Sequence, residues 1–286
     1  LHNLPHVADL IVSDDDEKIG KFVTRMEELV AERKAFLKNE GAANSTMYRD
    51  LGHTYPQVLI VLDNYDGAKD TPYYEDIDRT IQMLARDGSA VGITVIMTAG
   101  RMSALRGGLM ATMRERLVLK LTDASESRTF VGHHTYTLDD IPGRGLLKME
   151  KPEVFQTALP ATGETNQEVL IALQERVKAL DEGWTGPRPE SIPLVPEVLN
   201  LDDYRSRQDV VFASETGQLP VGLSTDKVDN VALPLSQLKH IAYVSDDDNH
   251  MQTITQHLVA VTTMVSESSV MLYDSNGRYE YLSDKV

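Results

Sequence analysis

Apolar residues recur at Ile19, Phe22, Val23, Met26, Leu29, Val30, Phe36 and Leu37, a spacing that predicts an amphipathic helix. Ser13-Asp14-Asp15-Asp16-Glu17 marks its start. Ser13 with Asp16 three residues on resembles a capping box, the carboxylates suit the positive end of the helix dipole, and Gly41 is the candidate C-cap. The pattern then changes. Val58-Leu59-Ile60-Val61-Leu62 is a continuous apolar run ending in Asp63, as in a parallel-sheet strand buried on both faces. A helix is expected from about Tyr73 to Asp87, stopped by Gly88, then a buried strand Ile93–Met97 and another at Leu117–Leu121. Strands alternating with helices predict βαβ units and an α/β fold with mainly parallel, doubly wound sheets.

After Leu159-Pro160 a short helix is expected from about Asn166 to Asp181. Trp184-Thr185-Gly186-Pro187-Arg188-Pro189, with Pro193 and Pro196, follows; such a run continues neither a helix nor a central strand and reads as a connector, with Trp184 as its packing anchor. The pattern restarts with Leu219–Leu223 and Val231–Leu235, then a strand His240–Val244, a helix from about Met251 to Val265, and a strand Val270–Tyr273 ending in Asp274. The expected organisation is therefore a segment at 1–183, a linker at 184–209 and the start of a second segment at 210–286, each segment with its own sheet and an acid, Asp63 or Asp274, at the carboxyl edge.

With 41% apolar and 25% charged residues, the chain has enough apolar mass for a sizeable core. Twenty-eight Lys and Arg against 44 Asp and Glu give a net charge of −16, which argues against a broad phosphate-binding surface and hence against nucleic-acid partners, while leaving room for a small basic nucleotide pocket. The absence of cysteine removes disulfides, thiolate metal sites and cysteine nucleophiles.

Leu59-Ile60-Val61-Leu62-Asp63 has the form of a Walker B strand, whose carboxylate would orient the water shell of a nucleotide-bound Mg²⁺. The following residue, where such ATPases usually carry a Glu that polarises water, is Asn64, whose amide has no basic oxygen for a general base. Thr98 closes the second strand, where it reads either as a γ-phosphate sensor or as an ordinary strand residue. Arg101, Arg106, Arg114 and Arg116 follow, read either as cationic fingers or as surface charge. His133-His134 is read as a turn rather than a metal pair, and Gly143-Arg144-Gly145 as a tight turn. In the second segment a Gly-x-x-x-x-Gly-Lys-[Ser/Thr] loop would place its defining residues at 245, 250, 251 and 252. The chain has Ser245, His250, Met251 and Gln252 there, with Asp246-Asp247-Asp248 repelling a β-phosphate, so this reads as a degenerate P-loop with little capacity to bind nucleotide.

Taken together these segments resemble FtsK/SpoIIIE-type ATPase modules, and most closely the EssC/EccC ATPase family of type VII secretion. The resemblance rests on Leu4-Pro5-His6, Glu32-Arg33, Val58–Asp63, Gly92–Arg101, Arg116–Asp123 with Ser125-Glu126-Ser127, and the Trp184-Gly186-Pro187 linker. Its most specific part is the pair Ile141-Pro142-Gly143-Arg144-Gly145-Leu146 and Phe155-Gln156-Thr157-Ala158-Leu159-Pro160, which separates this branch from chromosome translocases.

The resemblance implies RecA-like P-loop modules, the first (1–183) lacking its Walker A part and the second truncated. It implies ATP and Mg²⁺ as cofactors of an intact first module, with Asp63 at the metal, Asp63, Asn64 and Thr98 at the catalytic edge, and Arg116 completing a neighbouring module's site. It also implies a membrane-anchored protein at the cytoplasmic face of the cell membrane. Its partners would be neighbouring modules, other secretion-system subunits and small helical WXG100-family substrates. Two readings stay open: a motor or regulatory ATPase segment, or a docking segment with vestigial nucleotide sites. A DNA translocase is disfavoured by the charge. The chain as given is expected not to hydrolyse ATP measurably, and Arg116, if a finger, to be accessible and loosely paired, against the alternative of a local salt bridge.

Overall fold

The computed structural model describes residues 2–280 apart from 106, 239, 267 and 276. The chain divides into two compact units, Leu1–Ile192 and Pro193–Val286. In the first, α1 (Asp16–Asn39) and α2 (Ser45–Asp50) precede β1 (Val58–Leu62), α3 (Tyr65–Ala68), α4 (Tyr74–Asp87) and β2 (Ile93–Met97). Then come α5 (Gly107–Thr112), β3 (Leu117–Leu119), α6 (Ala124–Val131), β4 (Arg144–Leu147), β5 (Glu153–Gln156) and α7 (Asn166–Glu182).

The long helix α1 forms as its spacing requires, but Asp15 rather than Ser13 is the N-cap, its carboxylate accepting from the Lys18 N–H at 3.0 Å. At the other end Gly41 adopts φ +70°, and the Gly41 and Ala42 N–H groups donate to the Lys38 and Leu37 carbonyls, closing the helix with a Schellman motif. Helix α7 starts with a full capping box between Thr165 and Glu168. Arg33 ties α1 to the start of both strands: its guanidinium donates to the Pro56 and Val91 carbonyls at 3.0 and 2.9 Å and lies over the Tyr55 ring.

β1 and β2 pair in parallel, Val58 opposite Ile93 through Leu62 opposite Met97. Val58, Ile60, Leu62, Val95 and Met97 pack, with buried Ile93, against Ile19, Val30 and Leu37 of α1 and Ile77, Ile81 and Leu84 of α4. The expectation of burial on both faces fails. Leu59, Val61 and Ile96 are 59%, 61% and 48% exposed, because the helices that pack on this pair all contribute to one layer. An unbroken apolar run permits burial on both faces, but burial also needs a layer packed on each, and a layer packs here on one.

The third strand also departs from expectation. It stops at Leu119 and joins not the parallel pair but an antiparallel sheet, β3-β4-β5, with Val118 opposite Leu146 and Leu146 opposite Val154. Val118, Leu146 and Val131 of α6 form its core. Within Gly143-Arg144-Gly145 only Gly143, at φ +76°, turns; Arg144 and Gly145 are already in β4.

The second unit contains α8 (Leu201–Arg205), α9 (Gln208–Glu215), β6 (Gln218–Leu223), β7 (Asn230–Pro234) and α10 (Asp248–Thr262). α8 and the start of α9 fall inside the stretch read from sequence as a linker. β6 and β7 form an antiparallel hairpin. Tyr204, Val210, Leu219 and Val261 are its buried core, and Asp209 holds the hairpin by accepting from Arg207 and from the Asn230 N–H. The strands expected at 240–244 and 270–273 form no ladder among the described residues, so Asp274 does not end a sheet strand. Instead its carboxylate accepts from the Tyr279 N–H at 2.6 Å.

Burial lowers the pKa of His257 on α10 below the usual imidazole value, partly offset by a hydrogen bond to the Val221 backbone. Its ring centroid stands 5.4 Å from that of Tyr204, and Nε2 is buried without a partner. The unfolded chain therefore binds the proton more readily than the native one. This unit should lose stability as the pH falls below about 6.5, with a slope under the limit of about 1.4 kcal/mol per pH unit because the ring keeps some solvent contact. Denaturant midpoints of the second unit measured from pH 5 to 8 test this; a profile that His257→Gln leaves equally steep would show that another group titrates.

Candidate nucleotide site at the carboxyl edge of the parallel strands

Asp63 follows β1 directly and is exposed. The chain then reverses at Asn64, a non-glycine residue at φ 56° and ψ 59°. Asparagine tolerates this left-handed region better than a β-branched residue would, since its short polar side chain adds little clash. Thr98, the first residue past β2, organises the turn. Its N–H donates to the Leu62 carbonyl at 3.0 Å, its carbonyl accepts from the Tyr65 N–H at 2.9 Å, and Oγ1 accepts from the Asn64 N–H at 2.8 Å while donating to Asp63 Oδ1 at 2.5 Å. Thr98 thus orients the Asp63 carboxylate and leaves Oδ2 without a protein partner among the described residues. One outward carboxylate oxygen at a sheet edge suits Mg²⁺, which keeps most of its waters and takes the rest of its shell from phosphates. The Asn64 amide lies over α3, where a Cβ on Gly67 would come within 2.9 Å of Nδ2. The structure thus brings Asp63, Asn64 and Thr98 together at one edge.

The sequence reading did not single out two supports of this turn. Asp66 Oδ2 accepts from the Gly100 N–H at 2.5 Å, and Oδ1 lies 3.9 Å from Arg101 Nε. Below them Tyr65 is fully buried and donates its hydroxyl to Asp78, which is 1% exposed and also accepts from Gln82 at 2.8 Å. Burial, then hydrogen bonding to the Asp78 carboxylate, pushes the Tyr65 phenol far above its ordinary pKa. The signals that could have found these residues were an Asp three positions beyond Asp63 and an Asp between apolar Ile77 and Ile81 on the core face of α4.

Arg116 does not stand free. Its guanidinium donates to the Met113, Phe130 and Met110 carbonyls at 3.0, 3.3 and 2.5 Å and lies 5.7 Å from the Phe130 ring centroid. Loose pairing and the Glu115 salt bridge are both replaced by capture on three backbone carbonyls, which converge on the half-buried guanidinium while Glu115 stays exposed. Arg114 and Arg128 are exposed, and Arg106 lies outside the described residues. His134 is buried, with Nε2 3.0 Å from Ser127 Oγ.

The second unit's degenerate loop is rebuilt as a self-capped helix start. α10 begins at Asp248 rather than Met251, so His250 and Met251 fall in its first turn and Gln252 just beyond it. The Asp247 carboxylate accepts from the Asn249 and His250 N–H groups at 2.7 and 3.4 Å, and Ser245 Oγ accepts from the Asp247 N–H at 3.1 Å. These backbone bonds lower the Asp247 pKa. The N–H groups that would cradle a phosphate already face a carboxylate, so this helix start does not fit a nucleotide. A groove of about 630 Å³ between α1 and α4, lined by Glu27, Lys34, Arg79 and Gln82, shares no residue with the sheet edge.

A parallel strand pair with an acid after one strand and a threonine bonded to it after the other is consistent with the RecA-like P-loop ATPase fold of the solved structures that the chain resembles; residues 1–136 match the FtsK/SpoIIIE family. More particularly, the chain is homologous to the EssC/EccC ATPases over its whole length. It is 26% identical to the type VII secretion system protein EssC of Staphylococcus aureus (strain MRSA252) across 99% of the chain, and spans about a fifth (19%) of that relative's length. It superposes on EssC (ATPases 2 and 3) from Geobacillus thermodenitrificans with TM-score 0.85 and 27% identity, covering 100% of this chain and 58% of that one. It matches Thermomonospora curvata EccC (ATPases 2 and 3) in complex with a signal sequence peptide with TM-score 0.61 and 25% identity over 81% of this chain and 42% of that one. Among the described residues no helix is long and apolar enough to cross a membrane.

Proposed function

We propose that this chain is a motor or regulatory ATPase segment of a type VII protein secretion system, working at the cytoplasmic face of the membrane. Residues 1–183 belong to one module, the connector runs from 184 to about 200, and the next module begins with α8, whose Tyr204 lies in the core of the second unit. Its partners are neighbouring modules, other secretion-system subunits and WXG100-like substrates. The observation that carries this reading is the end-to-end likeness to tandem EssC ATPase modules. In an intact first module Asp63, oriented by Thr98, would hold Mg²⁺ on ATP, and the ion would offset charge on the phosphates as they transfer. Asn64 supplies no proton acceptor there, and the Asp247-capped start of α10 favours the second reading, docking, for the later segment.

The test is export of small helical substrates by cells carrying Asp63→Asn in the whole protein. A motor role predicts loss of export with normal protein levels. Unchanged export would assign the segment to docking. The 286-residue chain by itself is expected to show no measurable ATP turnover, and turnover that disappears on Asp63→Asn would refute that expectation.

A further inference from the structure

We propose that Arg101 is the cation that meets the phosphates at this edge, and that Asp66 is the residue that positions it. The inference deepens the nucleotide reading above and rests on it. Two carboxylates, Asp63 and Asp66, stand on the turn after β1. Left alone, that charge would repel a triphosphate even with Mg²⁺ at Asp63. Arg116, expected to serve a neighbouring module's site and not this edge, is held by three carbonyls and offsets none of this charge.

Arg101 follows Thr98 by three residues and is the contrasting case. Its side chain is 74% exposed, and its one partner among the described residues is Asp66, with Nε 3.9 Å from Oδ1. That separation is an ion pair rather than a hydrogen bond, so the guanidinium keeps its donors for a ligand. Asp66 is built to aim it. Oδ2 holds the Gly100 N–H and so fixes the backbone just before Arg101, while Oδ1 is buried with no hydrogen-bond donor of its own. A buried carboxylate oxygen without a donor is costly, and a facing guanidinium offsets that cost. The pair therefore anchors one side of Arg101 and leaves its fork toward solvent, the arrangement that suits two phosphate oxygens.

The experiment follows the arginine Nε–Hε signals of the 286-residue chain by NMR during titration with Mg·ATP and, separately, inorganic triphosphate, Arg101 being assigned from Arg101→Lys. The Arg101 signal is expected to move saturably and that of Arg116 to stay in place. Arg101→Ala should weaken binding at least tenfold, and Arg101→Lys should restore part of it. Asp66→Asn, which keeps an oxygen for Gly100, should shift the ligand-free Arg101 signal toward that of a free arginine without moving the melting temperature. An unmoved Arg101 signal in that variant overturns the positioning role. Binding that Asp63→Asn weakens but Arg101→Ala does not overturns the cation role and leaves the Mg²⁺ site standing. The reverse result keeps Arg101 and overturns the Mg²⁺ site. A wild-type Arg101 signal that neither ligand moves overturns the proposal.

Discussion

Asp78→Ala is expected to lower the stability of the first unit by about 1–3 kcal/mol, the range for leaving a buried donor without its acceptor. Asp78 is 1% exposed and accepts from both the Tyr65 hydroxyl and Gln82. Alanine would strand a buried phenol, with the Tyr74 hydroxyl, 3.4 Å away, as a weak alternative among the described residues. The consequence reaches the site, because Tyr65 belongs to the turn that carries Asp63 and Asn64 and its N–H bonds to Thr98. Loss of nucleotide response should therefore accompany the loss of stability. Tyr65→Phe, which leaves Gln82 to satisfy part of Asp78, should cost less. Denaturant unfolding of the two variants beside wild type decides the matter: a penalty for Asp78→Ala under about 1 kcal/mol would mean that the network is not what holds the turn.

Gly145→Ala should cost about 1–3 kcal/mol, and Gly145→Val more, although glycine in a strand interior ordinarily weakens it. A Cβ at this position would sit 2.7 Å from Phe155 Cζ and 2.7 Å from the Val118 carbonyl oxygen. The ring can swing aside, but the carbonyl is part of the β3 backbone and cannot. The same bare strand position lets β4 lie close to both neighbours, and the register brings Arg144 opposite Gln156. Arg144 and Gln156 then bond at 3.2 Å, and Gln156 reaches the Pro142 carbonyl at 2.9 Å. The two halves of the most specific sequence signature are thus partners across one strand pair. Thermal or denaturant midpoints within error of wild type for Gly145→Ala would show that the sheet yields without strain.

How far each feature was legible depended on whether its cause is local. The helix α1, the strands β1 and β2 and the helix α4 were read within a residue or two of their ends, because apolar spacing reflects the geometry of neighbouring residues along the chain. Asp63 and Thr98 were each legible as strand-end residues for the same reason, but that they meet at one edge follows from the parallel pairing of β1 with β2. The segments 240–244 and 270–273 look equally strand-like, yet a ladder needs a partner, and among the described residues none pairs with them.

By itself, then, the sequence determined α1, β1, α4, β2 and α7, the acid that follows β1, the loss of every P-loop residue from Ser245 to Gln252, and the resemblance that the whole-length comparison supports. Tertiary structure alone decided which face of β1 meets a core, that β3 turns away to an antiparallel sheet, and that Arg116 is consumed by carbonyls while Arg101 stays open. It also decided that Asp78, polar on an apolar helix face, is the buried support of the site. These outcomes depend on which distant groups arrive within hydrogen-bonding or packing distance, and a one-dimensional pattern carries no record of that.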